Sequence, residues 1–135
     1  WVPSTVELGY HFCYGSLGGK HFVEPETIGP MVDLANRISS KLSHTPNWIH
    51  MPVPVERNDD DYFRALETLS LKSETKLYLG LIHDSDGVKG AKTRIKTAEK
   101  FIKNFGVATE CGFGRRPANT VLPLLNLHKE IASLI

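Results

Sequence analysis

Apolar and polar positions alternate between two periods along the chain, and the alternation repeats four times. Short apolar or period-two runs, as expected of strands, precede longer stretches with apolar residues at helical spacing. The predicted strands are Val6–Cys13, Trp48–Met51, Lys76–Ile82 and Phe105–Thr109, and the first is followed by a glycine-rich turn at Gly15–Gly19. Helices are predicted over Glu26–Leu42, from Asn58 to Leu69, around Ala91–Ile102, and from about Asn119 to Ile135.

This β-α order predicts an α/β fold with a parallel sheet, right-handed crossovers and helices packed outside the sheet. We expect residues 1–135 to form a single (β/α)4 unit, one half of a TIM-type (β/α)8 barrel. Four units cannot close a barrel, because the first and last strands keep free edges. The missing half is therefore expected from upstream residues, from a second copy or from a different closure, and the chain alone is expected to self-associate.

The helical and strand periods predict one solvated surface and two core residues. The polar face of the third helix carries five basic residues and is predicted to be solvated: Lys92, Arg94, Lys96, Lys100 and Lys103. Trp48 and Tyr78 lie within strands and are predicted to belong to the core.

Composition narrows the function classes. The 135 residues are 41% hydrophobic with a net charge of +1, which gives no signal for nucleic acid or a membrane surface. No apolar run approaches the roughly 20 residues that span a bilayer. Only two cysteines are present, and we expect free thiols in a cytoplasmic protein.

Candidate chemistry collects where the predicted strands end, which is where parallel α/β folds place their sites. The first strand ends in His11 and Cys13, and the last is followed by Cys111. His11 and Cys13 are two apart on a strand and share a face, so Cys111 could converge on them. One imidazole and two thiolates suit tetrahedral Zn²⁺. From the residues alone, a zinc site and an ordinary buried pair both stay open.

The segments Gly9-Tyr-His-Phe-Cys-Tyr14 and Glu110-Cys-Gly-Phe-Gly-Arg115, with the strand at Trp48 between them, resemble strand ends of cobalamin-independent methionine synthases. The resemblance implies the C-terminal half of the catalytic barrel, with zinc bound by His11, Cys13 and Cys111. It also implies a 5-methyltetrahydrofolate–homocysteine methyltransferase-like activity in methionine biosynthesis, in which a zinc-bound thiol accepts a methyl group from a folate-like donor.

The chain departs from that family at one ligand. The family's zinc glutamate should fall near Pro52, where no carboxylate is present. His50, two residues earlier on the same strand face, is our hypothesis for a replacement fourth ligand. His83, Glu110 and a water molecule are the alternatives.

The rim is also expected to bind substrate. Arg115 and Arg116 follow the last strand in a glycine-containing loop and are predicted to form an anion site, with Glu110 and His83 as further candidates. His21 is interpreted as an ordinary loop residue. Two other functions stay open: a metal-independent lyase of the uroporphyrinogen decarboxylase type, and a non-catalytic barrel piece that binds small anions.

Overall fold

Strands and helices alternate along the chain and build a four-stranded parallel sheet. The computed structural model describes residues 2–15 and 21–135. The strands are β1 (Gly9–His11), β2 (Trp48–Pro52), β3 (Lys76–Ile82) and β4 (Phe105–Thr109), in the order β1-β2-β3-β4. The helices are α1 (Gly29–Lys41), α2 (Asp60–Phe63, continued by a 3₁₀ turn at Arg64–Thr68), α3 (Gly87–Ala98) and α4 (Ala118–Ala132). The predicted α/β class and parallel sheet are confirmed. Apart from Gly15, the predicted turn at 15–19 lies outside the described residues.

Local sequence signals explain where helices begin. Pro30 stands in the first turn of α1, where its missing N–H costs no hydrogen bond. The Asp59 side chain caps α2 by accepting a hydrogen bond from the Tyr62 backbone N–H at 3.0 Å. Within the described ranges, no helix is long and apolar enough to cross a membrane.

The two faces of the sheet differ in what covers them. Ile49, Met51 and Leu79 are fully buried in one apolar cluster, together with helix residues that include Val32 and Ala91. Strand positions on the other face, in register across the sheet, are His11, His50, Tyr78 and Gly106. Trp48 and Tyr78 lie on this second face and are partly exposed, so their prediction as core residues was wrong. The second face therefore carries the chemistry-bearing side chains.

Strand β1 is shorter than predicted because a side chain replaces its expected backbone partner. The Leu8 N–H donates to Asn47 Oδ1 at 2.8 Å, and the Asn47 N–H donates to the Leu8 carbonyl at 2.7 Å. Regular pairing with β2 begins only at Gly9. Beyond the strand, the Phe12 N–H still donates to the His50 carbonyl at 3.0 Å, which fixes the chain that leads to Cys13.

Arg94 corrects the predicted solvated face of α3, because it is only 1% exposed. Its guanidinium forms a two-pronged ion pair with Asp86, at 2.7 and 2.8 Å, and donates to the Leu81 and Val55 carbonyls. These contacts join α3 to the segments that follow β2 and end β3. Arg94 thus stabilises the loops at the carboxyl ends of the strands.

The close approach of neighbouring backbone at Gly80, where the pairing of β3 with β4 is irregular between Leu79 and Ile82, indicates a concave bend in the sheet. A Cβ atom at Gly80 would lie 2.8 Å from the Cα of Glu110, 3.0 Å from the Cα of Pro52 and 3.1 Å from the Thr109 carbonyl oxygen. Only glycine tolerates such a close approach of the two neighbouring strands. The ends of β2 and β4 are therefore drawn together over β3.

Candidate metal centre

Three predicted ligands converge at the carboxyl end of the sheet. The ligand atoms of His11, Cys13 and Cys111 all lie within 4.8 Å of one another, and His11 Nε2 is 4.0 Å from Cys111 Sγ. This group is called the His-Cys-Cys cluster below. His11 ends β1 and Cys111 follows β4, which are opposite edges of the sheet. In a flat sheet these edges would be about 14 Å apart at roughly 4.8 Å per strand spacing. The concave bend and the inward side chains close that gap.

The sulfur atoms of the cluster are free thiols held close together. Partial burial raises the pKa of the Cys13 thiol, and the nearby Cys111 sulfur and Glu110 raise it further. A hydrogen bond from the Gly15 N–H, at 3.2 Å, acts in the opposite direction. Two neighbouring thiolates repel each other, and a divalent cation between them would remove that cost. One nitrogen and two sulfur donors could therefore hold a metal ion.

His50 lies beside the His-Cys-Cys cluster and contacts His11. The two Nδ1 atoms are 2.7 Å apart, and the two rings meet edge to edge, with planes inclined by 21° and centroids 4.8 Å apart. The other ring nitrogen, Nε2, is 3.0 Å from the Thr109 carbonyl oxygen. Burial, and then the neighbouring His11, lower the pKa of His50 to about 4. Both nitrogens of the residue hypothesised as the fourth ligand are thus engaged in hydrogen bonds.

A second group of ionisable residues surrounds Glu110. Its Oε1 atom is buried and 2.7 Å from His21 Nε2, in a contact whose angles are not those of a hydrogen bond. Its Oε2 atom is 4.0 Å from His83 Nδ1. Burial raises the pKa of Glu110, although His21 opposes the increase. His21 is partly buried, which lowers its pKa, but contacts to Glu24 and Glu110 outweigh burial and raise it. His21 was predicted to be an ordinary loop residue, but its contacts make it part of the group of ionisable residues around Glu110.

His83 is held in place from the opposite side. Its Nε2 atom donates to the Val53 carbonyl at 2.8 Å, and the residue is 8% exposed. Burial, together with the nearby positive charge of Arg94, lowers the pKa of His83. The imidazole is therefore neutral near pH 7 and presents Nδ1 toward Glu110.

The predicted anion residues lie in the same region. Arg116 forms an ion pair with Asp84 at 2.7 Å, and this hydrogen bond lowers the pKa of Asp84. Arg115 and Arg116 both line a cavity of about 620 Å³, called the rim cavity. Its walls also include Cys13, Tyr14, His21, His83, Glu110 and Cys111. An anion that entered would share Arg116 with Asp84.

A second cavity, of about 660 Å³, opens on the sheet face that carries the site and is called the sheet-face cavity. It is mainly apolar and is lined by residues that include His11, His50, Trp48, Tyr78 and Phe113. Cys111 and Gly112 line both cavities. The His-Cys-Cys cluster therefore lies where the apolar sheet-face cavity meets the rim cavity, which has more polar side chains in its lining.

The structure brings some predicted site residues together and separates others. His11, Cys13 and Cys111 form one cluster, whereas Glu110 and His83 belong to the neighbouring polar group. No family model, curated protein or solved structure matches the chain.

Proposed function

We propose that the chain is the (β/α)4 half of a TIM-type barrel and acts as a zinc-dependent methyl or alkyl transferase on a thiol, in the manner of the cobalamin-independent methionine synthases. The observation that carries the proposal is the convergence of His11 Nε2, Cys13 Sγ and Cys111 Sγ at the carboxyl end of a parallel sheet. Other support comes from the shape of the sheet and from its cavities.

The shape of the sheet supports a barrel wall. All four strands are parallel, and the face that carries the site is concave at Gly80. Within residues 2–15 and 21–135, each of β1 and β4 pairs along one edge only. Further parallel strands added at these edges would continue the curvature and enclose the sheet-face cavity.

The three protein donors leave one position of a tetrahedral ion for a substrate sulfur. His11, Cys13 and Cys111 would hold the ion, and the chemistry that zinc would supply there is a lowered pKa for an incoming thiol, which would favour the nucleophilic thiolate at neutral pH. The residues of the chain contribute by positioning the two reactants. Cys111 and Gly112, on the border of both cavities, allow a thiol in one compartment to meet an alkyl donor in the other. Trp48 and Tyr78 line the sheet-face cavity with apolar surface beside that meeting point.

A second candidate function is supported by the rim cavity, whose arginines, histidines and Glu110 need no metal. Such a set suits a lyase of the uroporphyrinogen decarboxylase type that acts on an anionic substrate. The two candidates differ in metal dependence, which makes metal content the deciding measurement.

The test is elemental analysis of the protein purified without chelator. We expect about one zinc per chain, and we expect Cys13→Ser with Cys111→Ser to abolish it. His44→Ala is the control, because His44 is an imidazole far from the cluster in sequence and bonded to the Val2 carbonyl. Zinc retained at full stoichiometry by the double serine variant would eliminate this site. A zinc-loaded protein that transfers no alkyl group to any thiol would support the zinc site but refute the proposed activity.

A further inference from the structure

We propose that His50 is a positioning residue that holds His11 in the tautomer able to bind a metal, and that it is not a ligand itself. The proposal deepens the zinc site described above and rests on it. It replaces the hypothesis that His50 takes the place of the missing glutamate as fourth ligand.

The hydrogen bonds determine where each proton lies. A backbone carbonyl can only accept, so the 3.0 Å contact with Thr109 places a hydrogen on His50 Nε2. A neutral His50 then has a bare Nδ1 atom. The 2.7 Å gap between the Nδ1 atoms of His50 and His11 holds a single proton, which must therefore belong to His11.

This assignment leaves His11 Nε2 without a proton and with its lone pair free. That nitrogen lies 4.0 Å from Cys111 Sγ, inside the His-Cys-Cys cluster. A cationic His50 would reverse the assignment, but His50 is 7% exposed and sits against a second imidazole, where a charge would be poorly solvated. The relay from Thr109 through His50 thus prepares His11 for a metal.

The same geometry argues against His50 as a ligand. Both of its nitrogens already have partners, on β1 and at the end of β4. To reach an ion, the ring would have to give up one of these hydrogen bonds. Metal-bound histidines commonly donate their second ring N–H to a neighbouring acceptor, and losing that acceptor typically weakens metal binding about 10- to 100-fold.

Three variants test the role. His50→Leu keeps the bulk but removes the acceptor, and we expect zinc affinity to fall about 10- to 100-fold. His50→Asn offers an amide oxygen to the His11 N–H, and we expect it to restore most of the affinity. His128→Leu is the matched control, since this partly buried imidazole of α4 packs on the Phe113 ring. It should leave zinc affinity unchanged.

Two spectroscopic measurements on the wild-type chain do not depend on how the variants fold. Nitrogen-15 NMR of the zinc-free protein should show the His11 proton on Nδ1, and X-ray absorption of the zinc-loaded protein should count one imidazole at the metal. A His11 proton on Nε2, two imidazoles at the metal, or wild-type affinity in His50→Leu would each overturn the role of His50. A wild-type chain that binds no zinc but shows the Nδ1 proton would refute the zinc site and leave the hydrogen-bond relay standing.

Discussion

Adding a single methyl group at Gly80 should disturb both the packing of the sheet and the candidate metal site. In Gly80→Ala, the added Cβ would lie 2.8 and 3.0 Å from the Cα atoms of Glu110 and Pro52. Carbon atoms in contact prefer about 3.5–4.0 Å, so β2 and β4 must move apart by several tenths of an ångström. Both close neighbours are backbone atoms, which no rotamer change can relieve.

The expected cost combines two opposing contributions. Overpacking of this kind typically costs about 1–3 kcal/mol, whereas replacing glycine lowers the entropy of the unfolded chain and returns about 0.4–1 kcal/mol. We expect a net loss of about 1–2 kcal/mol in the free energy of unfolding. Zinc affinity should fall as well, because Glu110 precedes Cys111 and Pro52 lies two residues after His50. Separating the strands lengthens the contact between His50 and the Thr109 carbonyl.

Gly112→Ala is the matched control, because Gly112 adjoins Cys111 but an added Cβ there would meet nothing within 4 Å. We expect its stability to stay within about 0.5 kcal/mol of wild type, with unchanged zinc affinity. Urea titration followed by circular dichroism measures the first quantity, and competition with a chromophoric chelator measures the second. If Gly80→Ala matched Gly112→Ala in both measurements, the concave bend at Gly80 would not be what assembles the site.

Other predictions concern the loops, the rim and the free edges. Arg94→Met should lower the free energy of unfolding by about 1–3 kcal/mol, because it leaves the Leu81 and Val55 carbonyls without a donor while Asp86 stays partly solvated, whereas exposed Lys92→Met should change little in the same urea titration. The hydrogen bond from Arg94 lowers the pKa of Asp86. The ionised Asp86 therefore adds to the free energy of unfolding above pH 3.8, its ordinary pKa, and this contribution is lost as pH falls through the pKa in the folded state. Asp86→Asn should therefore reduce the fall of the urea midpoint over that range, and an unaltered fall would contradict the pairing. Arg115→Ala with Arg116→Ala should weaken binding of a folate polyglutamate at low salt, and equal affinity would remove the anion site. Sedimentation of the 135-residue chain should show concentration-dependent self-association, which a dilution-resistant monomer would disprove.

The sequence predicted the elements best where apolar runs are bounded by turn residues. Strands β3 and β4 have the predicted limits, because each run begins after polar residues and ends at ionisable ones. The sequence did not predict burial correctly where a side chain is buried because of a partner distant along the chain. Arg94 has the spacing of a solvated helix position, and its buried guanidinium is satisfied by an ion pair with Asp86, eight residues earlier, and by the Leu81 and Val55 carbonyls.

The candidate site was predictable in membership but not in detail. Strand alternation put His11 and Cys13 on one face, and the strand-end rule brought in Cys111. The contact between His11 and His50 depends on their being register partners in β1 and β2, which the pattern of apolar residues does not specify. The contact of His21 with Glu110 depends on how a loop folds back, for which the sequence holds no comparable signal.

The connections between strands explain why metal binding at the site and the curvature of the sheet should be thermodynamically coupled. Hydrogen bonds run from His11 on β1, through His50 on β2, to Thr109 at the end of β4, and so pass over β3. They can do so only because Gly80 leaves β3 without a side chain at the crossing. A metal held by His11 and Cys111 would close a second link between β1 and β4 beside the first. Each link shortens the distance that the other must span, so metal binding and the curvature of the sheet should stabilise each other.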